Sequence, residues 1–192
     1  MASNRVIDLS YMGKAFTCAL VLLSVTACDN NGTLHKAAFT NDAEMARSLI
    51  AEGASDVNAR DAQGNMPLHV AAVMGSAEVA RLLMAAGADV EAPNNLGAPL
   101  YVAVSYGKME VIRLLIEAGA SVNARTTTGR TPLHEAVSSG EADIIALLLE
   151  RGARVNARTD SGTTAMDIAV IYQRHDIAEI LRAVGGRCNT AC

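Results

Sequence analysis

One phrase recurs along the chain, and its spacing constrains the fold more than any single residue does. It reads GNMPLHVAAVMGSAEVARLLMAAGADV from Gly64, GAPLYVAVSYGKMEVIRLLIEAGASV from Gly97 and GRTPLHEAVSSGEADIIALLLERGARV from Gly129. Pro67, Pro99 and Pro132 fall 32 and 33 residues apart, and Ala165 follows 33 later. Self-similarity at a fixed period in this range marks a stacked solenoid. No single copy can bury both of its apolar faces, so only stacking gives a continuous core. Stacked repeats present surfaces and seldom build catalytic pockets, so the period bears on function as well as fold.

Within a copy the residues predict two short helices and a turn. Thr131-Pro132 is a helix start: a Thr hydroxyl can cap free backbone N–H groups, and proline at the first helical position loses no needed donor. Ala136 and Val137 face inward, and Gly140 sits where the first helix must stop. Ile144, Ile145, Leu147, Leu148 and Leu149 supply the second apolar face. Gly152 ends that helix, and Val155-Asn156-Ala157-Arg158 runs out into a turn. Met66 and Ala98 replace the capping Thr, each forfeiting about 1 kcal/mol, which predicts a softer middle.

The G-x-TPLH-x-A, LLL-x-x-GA and V-N-A positions resemble the ankyrin repeat, over about Leu34 to Gly186. The resemblance implies an all-α solenoid of five helix–turn–helix units joined by β-turn or hairpin loops. The units run 34–57, 58–90, 91–122, 123–155 and 156–186. Unit one starts abruptly and carries an extra residue within Ala54-Ser55-Asp56-Val57. Unit three is one residue short in its turn, and unit five reads Thr164-Ala165-Met166-Asp167 in place of TPLH. Degenerate ends are expected of capping units, which need a wetter outer face.

Ahead of the repeats, residues 15–27 form an apolar run, AFTCALVLLSVTA, preceded by Lys14. It is too short for an ordinary membrane span, which needs about 20 residues, and reads as a secretory signal. Val25-Thr26-Ala27-Cys28 looks like a bacterial lipobox. That resemblance implies diacylglycerol on the Cys28 thiol, cleavage before it and acylation of the new amine. Residues 1–27 are then the signal peptide, and 28–33 a polar linker behind two or more acyl chains. A plain signal cut after Ala27, or a buried apolar helix ending in Cys, are the other readings. Asp8 is unusual in a signal, and Met12 makes a more typical start. Asp29 resembles the signal that retains lipoproteins in the inner membrane of enteric bacteria.

Residues 28–192 carry 14 Lys and Arg against 19 Asp and Glu, a net charge of −5. That argues against general nucleic-acid binding. Cys188 and Cys192 lie in a tail, 187–192, expected to be flexible, where a short disulfide is possible. Two thiols with no nearby His make half a zinc set, and no metal or other cofactor is expected. His35, His69 and His134 invite a catalytic reading, but all share one repeat position, where a histidine ties neighbouring turns together. His175 stands alone. Asp61, Asp89, Asp143 and Asp167 mostly fall near caps or turns. No phosphate loop, HExxH or nucleophile elbow is present, so an enzyme is not expected.

The resemblance also implies where a partner would sit: on the turn tips and the inner face of each first helix. Those positions hold Val73, Met74, Tyr106 and Tyr172 at helix ends, and Asn65, Leu96 and Arg130 in turns. Arg60, Arg125 and Arg158 stand before turns. Met74 and Tyr106 are expected to face solvent as interface anchors, beside a basic margin of Arg60, Arg125, Arg130 and Arg158 that suits an acidic protein. The alternative is that Met74 and Tyr106 fill gaps between helices and the arginines are solvated. The expected function is a monomeric, lipid-anchored periplasmic binder of another protein, as an immunity protein against an envelope toxin. An accessory role to an oxidative-stress or envelope enzyme is the second job, and thiol-redox catalysis the remote one.

Overall fold

The computed structural model describes residues 33–53 and 55–189; the leader, Cys28 and Cys192 lie outside them. Ten helices and no strand occur among the described residues, in the expected pairs. They are α1 (Leu34–Thr40) and α2 (Ala43–Ala51), α3 (Pro67–Met74) and α4 (Ala77–Ala85), α5 (Pro99–Ser105) and α6 (Met109–Glu117). The array continues with α7 (Pro132–Ser139) and α8 (Ala142–Glu150), α9 (Ala165–Ile171) and α10 (His175–Ala183). Each first helix packs on the first helix of the next unit, and α2, α4 and α6 stack likewise. Leu68, Leu100, Leu133 and Met166 repeat one buried position; Leu83, Leu115, Leu148 and Leu181 repeat another. The single core runs through every joint.

Helix starts follow local chemistry, with one correction. Thr33, Asp42 and Thr164 accept backbone N–H groups of their own first turns, as caps should. The Thr131 hydroxyl, expected to do the same, instead lies 2.8 Å from the His134 Nδ1. That nitrogen also accepts the Thr131 N–H at 3.1 Å, and the His69 Nδ1 accepts the Met66 N–H at 3.2 Å. The histidine therefore takes up an N–H at the helix entrance, and the loss of Thr at Met66 is partly offset. At Ala98 the capping hydroxyl is absent and Tyr101 replaces the histidine.

Between units the chain makes a narrow hairpin. The N–H groups of Asp61, Thr126 and Thr159 donate to the carbonyls of Asn65, Arg130 and Thr163, each four residues on. In unit three the partner of Asn94 is Gly97, three residues on, which accommodates the missing residue. Gly129 shows why the turn needs glycine: its φ is +74°, and a Cβ there would stand 2.8 Å from the Asp160 backbone nitrogen of the next hairpin.

Candidate interaction surface

Two ladders fix the distances between units, and both use residues that repeat. His35 Nε2 donates to the Asn65 carbonyl at 2.9 Å, His69 Nε2 to Gly97 at 3.3 Å, and His134 Nε2 to Thr163 at 3.2 Å. With Nδ1 accepting a backbone N–H at His69 and His134, the ring proton sits on Nε2. Burial lowers the His69 pKa to about 4, against the raising effect of the Gly97 carbonyl, and lowers that of His134. The His69 and His134 rings are neutral ties at neutral pH. His175 is exposed at the start of α10. In the second ladder, the Asn58, Asn123 and Asn156 side chains each accept an N–H 31 residues on, at Asp89, Arg154 and Arg187, so that the start of one repeat is tied to the start of the next. Glu91 holds that position in unit three and accepts the Ser121 N–H.

The arginines are more committed than expected. Arg60 donates to the Pro93 carbonyl at 2.9 Å and Arg125 to the Arg158 carbonyl at 2.8 Å, in each case the equivalent residue one unit on. Arg125 also pairs with Asp160 at 2.9 Å. Arg130 pairs with Glu135 at 3.0 Å. The free basic margin is thereby corrected: Arg125 and Arg130 are ion-paired and Arg60 is a strut. Arg158 alone of the four makes no side-chain hydrogen bond among the described residues. Asp61 and Asp89 hold loop N–H groups, and Asp143 lies in the first turn of α8.

The joint between units three and four departs from the ladder. Tyr101, at the histidine position, donates to Glu135 Oε2 at 2.9 Å, and Ser105 donates to Oε1 at 3.1 Å. Arg130 Nε donates to the Tyr101 oxygen at 3.3 Å. Glu135 stands where Val70, Val102 and Ile168 are buried in other units. Burial, then the neighbouring carboxylate, push the Tyr101 pKa up. Burial works against the Arg130 charge, but Tyr101 and Glu135 outweigh it and hold its pKa above the ordinary value. The sequence reading missed this cluster. Its signal was a Tyr and a Glu facing one another where the neighbouring joints pair a His (His35, His69 or His134) with an aliphatic residue (Val70, Val102 or Ile168).

Met74 is 36% exposed and Tyr172 44% exposed, at the same repeat position in units two and five. Tyr106, at that position in unit three, is half-buried and packs against the core, which corrects its expected full exposure. Val73 and Asn65 are buried and cannot serve as contacts; the Asn65 side chain bonds Asp61 and Asn94. Leu96 is half-buried against the core. Met74 borders a shallow depression of about 310 Å³ with Gly75, Gly107, Lys108 and Met109. Val170 and Ile171 are also exposed, next to Tyr172. The equivalents of Val170, namely Ala72, Val104 and Val137, are fully buried by a following unit.

Among the described residues no group of three or more His, Cys, Asp or Glu side chains could hold a metal ion. No described helix is long and apolar enough to cross a membrane. Arrays of repeated ties bearing a varied exposed rim define a class of protein that works by presenting a surface. The family model for ankyrin repeats (three copies) matches residues 10–94 and 100–191, and the chain belongs to that family. Ankyrin repeats generally mediate protein–protein interaction and are typically non-catalytic. No curated protein matches the chain.

Proposed function

We propose that the chain is a lipid-anchored module of the bacterial periplasm that holds one partner protein against its first-helix and hairpin rim. The observation that carries this reading is the contrast between Met74 and Tyr172, exposed at one repeat position, and the histidines and asparagines beside them, which are consumed in ties between units. Large amphipathic side chains with no structural bond to make are what interface anchors look like. The Val25-Thr26-Ala27-Cys28 sequence supplies the anchor, and Asp29 favours the inner membrane. Mechanism is stoichiometric: a preformed rim docks the partner with little ordering cost, and the anchor concentrates the encounter at a membrane. The job we assign is immunity, with the partner an envelope-directed toxin whose active site is occluded.

A photo-crosslinking residue placed at Tyr172 or Met74 should trap one protein in membranes, and Met74→Glu with Tyr172→Glu should abolish capture at unchanged Tm. Equal capture by the double variant sinks the groove reading. Cys28→Ser should release the protein from membranes and end labelling by radioactive palmitate; retained labelling sinks the anchor. Deletion of the gene that leaves cells no more sensitive to the trapped protein sinks immunity.

A further inference from the structure

The residue just before each second helix changes along the array: Asp42, Ser76, Lys108, Glu141 and Arg174. Asp42 caps its own helix, accepting the Met45 N–H at 2.9 Å. Ser76 donates to the Ala38 carbonyl at 2.6 Å and Arg174 to the Ser138 carbonyl at 3.2 Å, each near the end of the preceding unit's first helix. Lys108 lies back over the preceding unit in the same way. Its stem crosses Gly75, where a Cβ would stand 3.0 Å from the Lys108 Cδ. Among the described residues, however, its ammonium makes no hydrogen bond or ion pair.

The acids nearby do not neutralise it. Glu110, beside the same depression, pairs with Arg81 at 3.2 Å. Glu141 lies over Gly107, where a Cβ would stand 3.4 Å from its Oε1, and makes no ion pair with Lys108. Lys108 therefore brings an unmatched positive charge to a depression of about 310 Å³ lined by Met74, Met109 and the buried Val111. Met109 is a second departure at this joint, since Ala43, Ala77 and Ala142 hold its position in units one, two and four. Clefts at the low end of the ~300–1,000 Å³ range admit side chains of a segment rather than a large cofactor. Methionine walls adapt to aliphatic side chains of varied shape. An exposed ion pair adds little affinity by itself, so apolar contact holds the segment and Lys108 sets its register. The net charge of −5 over residues 28–192 disfavours a polyanion, which leaves a single carboxylate as the complement of Lys108.

We propose that this notch receives a segment of the partner protein in which a side-chain carboxylate, set against Lys108, is flanked by aliphatic residues that fill the space between Met74 and Met109. The proposal rests on the rim being a partner surface and names the chemistry of what is held there.

Lys36 and Lys108 are the two lysines among the described residues, so lysine chemistry reads the notch against an internal reference. The full chain is mixed with a peptide Ser-Leu-Glu-Leu-Ser or Ser-Ser-Glu-Ser-Ser, each acetylated and amidated at its ends. A water-soluble carbodiimide then joins amines to carboxylates in contact with them, and mass spectrometry locates the products. Lys108 should couple to the leucine peptide at least about fivefold more than to the serine peptide, while Lys36 couples equally to both. Met74→Gln should remove the preference at unchanged Tm. So should Met109→Ala, which restores the residue of the other units. Equal coupling of Lys108 to the two peptides overturns the notch, and so does a preference shared by Lys36 or kept by both variants. The rim itself fails separately, if a crosslinker at Tyr172 traps no protein; capture there without a preference at Lys108 overturns the notch alone.

Discussion

The Tyr101 hydroxyl donates to Glu135 at 2.9 Å across the joint between units three and four, in the place where the other joints use a histidine and an apolar contact. The carboxylate is satisfied from three sides, by Tyr101, Ser105 and Arg130. A half-buried polar cluster of this kind is costly to break from one side and cheap to replace whole. Glu135→Gln should cost about 2 kcal/mol and Tyr101→Phe about 1 kcal/mol. The double variant should show a coupling of about 1 kcal/mol in urea unfolding. Additive losses would mean that the two side chains do not act together.

The neutral histidine ties make stability depend on pH with a definite sign. Burial holds His69 at a pKa of about 4 when folded, below the ordinary 6.5. The unfolded chain therefore binds the proton first as pH falls, and the folded state loses ground. The contribution is complete above about pH 6.5 and declines towards pH 4, a loss of about 2 kcal/mol at pH 5 relative to neutrality. His134 acts in the same direction. Urea midpoints at the two pH values should fall for the wild type and fall clearly less for His69→Gln. Equal falls would place the acid sensitivity elsewhere.

Arg125 and Arg158 share a repeat position, and among the described residues only Arg125 bridges to the next unit. Arg125 bridges to the Arg158 carbonyl and to Asp160, whereas Arg158 has no following carbonyl to reach among the described residues. Arg125→Ala should lower stability by about 1 kcal/mol, modest because the pair is half exposed. Arg158→Ala should leave the melting temperature unchanged. Equal effects of the two substitutions would refute the strut.

Gly129 has no room for a side chain. Its φ of +74° and the close Asp160 backbone make Gly129→Ala strained in both respects. A loss of about 2 kcal/mol is expected. Gly152→Ala, at φ +85° with open space around its Cβ position, should cost about 1 kcal/mol. Thermal melts that rank the two alike would remove steric crowding from the explanation.

The period of the phrase was enough to read the solenoid, its five units and the structural duty of three histidines. Each of these depends on residues that recur in a fixed register, so copies check one another. Surface roles were harder to read, because exposure depends on what the neighbouring unit brings. Val73 and Asn65 occupy positions suited to contact, yet both are buried. Arg60 and Arg125 read as a charged margin, yet their reach of one repeat makes them struts. Tyr106 packs inward while Met74 and Tyr172, its counterparts, stay exposed.

The sequence by itself determined the fold, because a 33-residue period with Gly and Pro landmarks leaves each unit no way to bury its apolar faces except by stacking. Only the tertiary structure decided which departures from the period pair with one another. Tyr101 meets Glu135, Asp167 meets Asn189, and Cys188 fills a valine site, all across joints between units. The bonded partners lie 34 and 22 residues apart in sequence and touch only once the units stack, so no local pattern could have paired them.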